Sequence, residues 1–145
     1  MNLTEHFALE EFIHSEIAAR RGLDNTPDAE TIERLKATAS GMEDVRGLLG
    51  VPVTVLSGYR SVKVNSAVGG SQSSQHMKGE ACDFIAPSFG TPQEVCRAIL
   101  DSTIEFDQLI YEGTWAHISF SETPRHSVLT AHFDNGKTIY RQGIA

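Results

Sequence analysis

Cysteine is scarce in this 145-residue chain: Cys82 and Cys96 are the only two. Two are too few for a disulfide framework, and they do not stand in the Cys-x-x-Cys spacing of a metal or redox motif. Both are expected as buried free thiols, since unpaired cysteine is among the most buried residue types. Long apolar runs are also missing, and none approaches the roughly 20 residues that a membrane helix requires. Positive charge is sparse as well, with 12 Lys and Arg against 19 Asp and Glu and a formal net charge of −7. The cations nowhere cluster, which argues against DNA or RNA as a partner because nucleic-acid affinity comes mostly from grouped Lys and Arg. The opening Met1-Asn2-Leu3-Thr4-Glu5-His6 lacks the basic and apolar regions of a secretory signal. If the protein acts outside the cytoplasm, another delivery route is expected. No internal repeat or low-complexity tract is present.

What remains is an ordinary globular composition, 40% hydrophobic and 21% charged, of a length that fits one domain, residues 1–145, with a single continuous core. Leu9, Phe12, Ile13 and Ile17 stand at helical spacing between Phe7 and Gly22, with Ser15 as an internal cap that can split the segment in two. A longer helix is marked by Thr26 as cap and Pro27 at the first helical position. Ala29, Ile32, Leu35, Ala39, Met42, Val45 and Leu49 then recur every three or four residues until Gly50. The β-branched stretch Val51–Ser57 reads as a strand leading into Gly58-Tyr59-Arg60-Ser61. From Asn65 to Gly79 the chain is rich in Ser, Gly and Gln and reads as a surface loop.

Asp83–Ala86 reads as the next strand. Thr91-Pro92-Gln93-Glu94 is a capping box opening a helix through Val95, Ile99 and Leu100. The last third alternates short strand candidates, Gln108–Tyr111, Ala116–Phe120 and Leu129–Phe133, and Asp134-Asn135-Gly136 turns the chain into Thr138-Ile139-Tyr140. Helices first and strands later indicate an α+β domain, a helical N-terminal lobe packed on a mostly antiparallel sheet.

The chemistry concentrates in Ser74-Gln75-His76-Met77-Lys78-Gly79-Glu80-Ala81-Cys82-Asp83, where an imidazole and a carboxylate stand seven residues apart across a glycine. Trp115-Ala116-His117 supplies a second imidazole about thirty residues later. His76, Asp83 and His117 together can form a two-nitrogen, one-oxygen zinc site with one open position, the mark of catalytic rather than structural zinc. A single carboxylate leaves such a site net positive, able to polarise a carbonyl and acidify water. His6, His14, His126 and His132 have no partner at ligand spacing, and of these only His132, two before Asp134, is held in reserve.

The pattern Ser74-x-His76-x-x-Gly79-x-Ala81-x-Asp83, followed by Trp115-x-His117, resembles the zinc D-Ala-D-Ala carboxypeptidase family. That family includes D-Ala-D-Ala dipeptidases and phage endolysins that cut the L-Ala–D-Glu bond of peptidoglycan. The resemblance extends to Ser57-Gly58-Tyr59-Arg60-Ser61, to Asn65 with Val68-Gly69-Gly70-Ser71, to His6-Phe7 with Glu11-Phe12, and to Asp24-Asn25-Thr26-Pro27, so it covers nearly the whole chain. It implies a Hedgehog/DD-peptidase-like fold and a zinc metallopeptidase acting on peptidoglycan stem peptides, as carboxypeptidase or endopeptidase; a monomer is expected, and the compact, signal-free, single-domain form leans toward a phage or prophage type. Made in the cytoplasm, such a protein would reach the wall after release or within a phage particle. His76, Asp83 and His117 are the implied ligands. Arg60 matches an arginine that holds substrate or the oxyanion, and Ser74 matches a serine that bonds substrate.

Many relatives carry an acid three before the last histidine ligand, where this chain has Thr114. Relatives with the shorter architecture often carry a glutamate five before that histidine, and a tight Gly113-Thr114 connection would turn Glu112 and His117 toward one cleft; the resemblance thus implies Glu112 as general base, with Glu80 and Asp107 as alternatives. The rival reading is a catalytically inactive zinc-bearing module that binds cell wall or builds a virion, as the Hedgehog signalling domain shows this fold can become.

Overall fold

Alternation along the central strands decides which side chains become core and which become site. The computed structural model describes residues 1–145. Three helices come first: α1 (Leu9–Ile13), α2 (Glu16–Arg21) and α3 (Ala29–Leu49). Then follow β1 (Thr54–Ser57), α4 (Val62–Ala67), a 3₁₀ turn (Gln75–Lys78), β2 (Ala81–Ile85) and α5 (Pro92–Leu100). The chain ends in β3 (Gln108–Tyr111), β4 (Ala116–Ser119), β5 (Ser127–Asp134) and β6 (Lys137–Gln142). The six strands form one sheet in the order β1-β2-β4-β3-β5-β6. Every neighbouring pair is antiparallel except β3 with β5, so the α+β expectation with a mostly antiparallel sheet holds. No helix is long and apolar enough to cross a membrane.

Caps explain most helix boundaries. Ser15 splits the first helical segment, its side chain accepting from the Ala18 N–H, and Thr91 with Glu94 closes the expected capping box on α5. The cap of α3 is Asp28 rather than Thr26. The Asp28 carboxylate accepts from the Thr31 N–H at 2.8 Å, whereas Thr26 is itself held by Asp24 at 2.9 Å. Pro27 accordingly lies outside the helix. β1 is shorter than expected, because Val51–Val53 precede the sheet. The stretch expected as a loop from Asn65 is partly ordered: Ser61 caps α4, and Asn65 is buried on it. Cys82 and Cys96 are buried free thiols.

The core lies between the helices and one face of the sheet. Leu35, Ala39, Met42, Val45 and Leu49 of α3 and Val95, Cys96 and Ile99 of α5 meet Cys82, Phe84, Leu109, Ala116 and Ile118 from β2, β3 and β4. Residues one step along each of those strands face the other way. Asp83, Ile110 and His117 are therefore placed together by register, Asp83 opposite His117 and His117 opposite Ile110. A slip of one residue would put the site residues into the core and the core onto the site.

Candidate metal centre

Three segments deliver three candidate ligands. Asp83 stands in the middle of β2, His117 is its cross-strand partner on β4, and His76 comes from the 3₁₀ turn that precedes β2. That turn is fixed at both ends. The Ser74 hydroxyl accepts from the His76 N–H at 3.2 Å, and Gly79 closes it with φ +75°, in the left-handed region that glycine adopts without strain. Helix α3 clamps the same turn from behind: Thr38 Oγ1 donates to the Gly79 carbonyl at 2.7 Å, and Arg34 Nε to the Lys78 carbonyl at 2.6 Å.

The donor atoms converge. Asp83 Oδ1 lies 2.9 Å from His117 Nδ1 and 3.3 Å from His76 Nε2, and the three ligand atoms are all within 4.8 Å of one another. His76 Nδ1 lies 2.7 Å from the Gly58 carbonyl oxygen, which can only accept. Nδ1 therefore carries a proton, and Nε2 is the nitrogen left facing the shared point; hydrogen bonds of this kind orient metal-ligating imidazoles. Burial alone would push the Asp83 carboxyl up. The His76 charge and the hydrogen bonds from His117 and His76 outweigh it and hold Asp83 well below the usual carboxylate range, ionised and ready to ligate. Two imidazoles and one carboxylate match the borderline donor set and ligand count of a catalytic zinc site.

Gly58 carries a second burden in this support. A Cβ there would stand 2.6 Å from the Phe12 carbonyl oxygen and 2.8 Å from its Cα, both backbone atoms that cannot swing aside. Gly58→Ala is expected to destabilise the fold by about 1–3 kcal/mol, the usual cost of overpacking, and to weaken metal affinity by moving the carbonyl that orients His76. Urea unfolding and a competitive chelator titration would check both effects.

Around the three ligands opens a cleft of about 590 Å³, lined among others by Arg60, Ser74, Glu112 and Trp115. Arg60 is mostly buried; its Nη2 lies 3.4 Å from Asp83 Oδ2, and its Nε donates to Ser57 Oγ at 3.2 Å. Ser74 lines the cleft while its hydroxyl caps the turn below His76. Glu112 sits at the end of β3, where its N–H donates to the Trp115 carbonyl at 3.1 Å. Gly113, with φ +86°, makes this tight connection between β3 and β4 possible. Glu112 and His117 thus face the same cleft, as expected if Gly113-Thr114 is a tight link. Burial raises the Glu112 carboxyl above its ordinary value, with Asp83 adding to the shift while His117 and Arg60 oppose it.

The other candidate acids stand elsewhere. Glu80 opens onto a separate polar groove beside Glu30, Arg34 and Lys78. Asp107 is buried and fully engaged: Arg125 Nη2 donates to Oδ2 at 2.7 Å, Arg125 Nε and backbone N–H each donate to Oδ1 at 3.0 Å, and Gln75 Nε2 donates at 3.0 Å. Those hydrogen bonds, led by that of Arg125, hold its carboxyl down at about 2. The folded value lies below the ordinary 3.8. The stabilisation it contributes is therefore present above that value and lost as pH falls toward about 2. Asp107→Asn is expected to flatten the acid limb of a stability–pH curve across that window, as read by thermal unfolding.

His132 is not a ligand. It alternates with Leu129 and Phe133 on β5, so it points away from the cleft those two residues line. His6 pairs with Glu43 at 2.7 Å and His126 stacks on Phe106. The residues that sequence reasoning missed are those of the far wall, Leu129 and Phe133 on β5 and Thr138 and Tyr140 on β6. Their period-two spacing was readable, but the parallel seating of β5 beside β3 was not.

Comparison with known proteins agrees with this geometry. The family model described as peptidase M15 matches residues 5–119. The zinc D-Ala-D-Ala carboxypeptidase of Streptomyces albus G is 43% identical over 60 residues, a match covering 41% of this chain and 21% of that relative. The chain thus spans well under two thirds of that relative's length. From the N-terminal lobe to the last strand that carries a ligand, the residues that build this centre fall inside the matched stretch, and the chain belongs to the M15 peptidase family.

Proposed function

We propose that this protein is a zinc metallopeptidase that hydrolyses a peptide bond in peptidoglycan stem peptides, as a D-Ala-D-Ala carboxypeptidase or an L-Ala–D-Glu endopeptidase. The observation that carries the reading is the meeting, in one cleft, of the His76–Asp83–His117 donor set with a half-buried carboxylate, Glu112, and a guanidinium, Arg60. Family membership and the named Streptomyces relative support the choice of zinc and of a wall peptide.

His76, Asp83 and His117 would hold the metal. Zinc bound there supplies a Lewis acid that polarises the scissile carbonyl and makes water acidic enough to attack near neutral pH. Glu112 accepts the proton of the attacking water and hands it to the amine nitrogen as the C–N bond breaks. Arg60 faces the negative charge that gathers on the carbonyl oxygen, where a mostly buried, fixed cation is worth more than one in bulk solvent. Its contact with Asp83 Oδ2 keeps the guanidinium aimed at the centre. Ser74 contributes by fixing the His76 turn and by lining the path of the substrate.

An inactive wall-binding or virion module has no use for an acid at position 112, and the presence of Glu112 in the cleft favours the enzyme. Delivery from the cytoplasm to the wall after release or in a phage particle, a phage or prophage origin, action as a monomer and organisation as a single domain complete the proposal. Digesting purified peptidoglycan and identifying the new termini by mass spectrometry tests it. Released D-Ala marks the carboxypeptidase, and a new N-terminal D-Glu marks the endopeptidase. No new terminus with metal bound would sink the enzyme reading.

A further inference from the structure

Residues 120–145 lie beyond the stretch that matches the family model, yet they build one wall of the metal-site cleft. Strand β5 runs parallel to β3 with Tyr111 opposite Thr130. Continued by one residue, this register brings Glu112 level with Ala131, and Ala131 is paired with Tyr140 on β6. Glu112, Ala131 and Tyr140 therefore form one row across three strands. Adjacent strands lie about 4.8 Å apart, so the outer two backbones are roughly 10 Å apart, close enough for both side chains to touch one bound peptide. The residue between them, Ala131, contributes only a methyl group to the row.

Tyr140 and Glu112 both line the cleft that holds His76, Asp83 and His117. Tyr140 is 50% exposed and Phe133, on the same wall, is 64% exposed; two aromatics left out of the core beside a polar cleft form the kind of surface that marks a binding site. A tyrosine suits such a place because it offers a flat apolar face and a polar tip at little entropic cost. Partial burial, and then the charges of Glu112 and Asp83, push its phenol above the ordinary value, so it stays a neutral O–H donor.

We infer that Tyr140 contacts the substrate: its ring flanks the peptide lying over Glu112, and its O–H donates a hydrogen bond to a carbonyl or carboxylate oxygen of that peptide. Arg60 and Tyr140 then supply donors from two different walls of the cleft. The inference rests on the peptidase reading above and assigns a specificity-determining role to a segment outside the family match.

The test pairs kinetics with binding. A synthetic stem peptide is titrated calorimetrically into zinc-loaded Glu112→Gln protein and into Glu112→Gln/Tyr140→Phe, and kcat/KM is measured for wild type and Tyr140→Phe. The ring is kept, so the thermal midpoint and zinc content should not change. Loss of one hydrogen bond is expected to weaken binding about fivefold and to lower kcat/KM about tenfold. Equal affinity and equal kcat/KM with and without the hydroxyl would overturn the Tyr140 contact and leave the peptidase reading standing. A zinc-loaded wild type that neither binds nor cleaves the peptide would overturn both.

Discussion

Glu112→Gln is expected to lower the turnover of stem-peptide cleavage by about a thousandfold, within the range general-base catalysis supplies, while zinc remains bound. Glutamine keeps the shape and length of the side chain, so the half-buried position at the end of β3 and the N–H contact to Trp115 should persist. What is lost is the ability to hold and return a proton. Because burial raises the Glu112 carboxyl, its base form should also be lost at a higher pH than for an ordinary glutamate. The acid limb of the kcat/KM profile should therefore lie above the usual glutamate range and be absent from the residual activity of the variant. Glu80→Gln should leave turnover close to wild type, since Glu80 opens onto the other groove. The assignment fails if Glu80→Gln abolishes cleavage and Glu112→Gln does not.

The second large effect is on the metal itself. Asp83→Asn should reduce zinc affinity by more than about a hundredfold, beyond the 10- to 100-fold loss typical when only an outer-sphere partner is removed. Asp83 would supply the one negative ligand, and its carboxylate lies 2.9 Å from His117 Nδ1, 3.3 Å from His76 Nε2 and 3.4 Å from Arg60 Nη2. Its amide would leave two imidazoles and a guanidinium around a neutral group. Zinc that binds only the folded state raises the unfolding midpoint in proportion to the logarithm of its concentration over Kd. Wild type should therefore gain thermal stability on zinc addition and Asp83→Asn should gain almost none. A comparable zinc-induced rise in both would remove Asp83 from the ligand set.

The candidate ligands could be read from sequence because each stands in a short motif whose chemistry is local: a histidine ahead of a turn glycine, an aspartate within a buried strand, and a histidine after Trp115. The place of Glu112 in the cleft could be read because Gly113 makes the connection to β4 short. The caps at Ser15 and Thr91 followed from residue type and position, but Thr26 did not cap. Two good capping residues flank Pro27, and Asp24 already holds the Thr26 N–H. Helix α4 escaped notice because Val62 and Val64 are poor helix formers and six residues are too few to be helical on their own. Ser61 and the burial of Val64 and Asn65 make up the deficit.

The far wall was the largest omission. Nothing in the composition of β5 tells that it skips β4 and lies parallel to β3, since that depends on the long-range fit of sheet edge to loop. Tyr140 and Phe133 enter the site only through that pairing.

The central claim is that one metal ion held by His76, Asp83 and His117 makes this cleft a peptidase. The most direct measurement follows cleavage of a stem peptide by protein stripped with a chelator and then titrated with zinc, with metal content read on the same samples. Activity should be absent in stripped protein, rise linearly to a plateau at one zinc per chain, and fail to return in His76→Ala. Full cleavage by zinc-free protein, or no cleavage with one zinc bound per chain, would contradict the account.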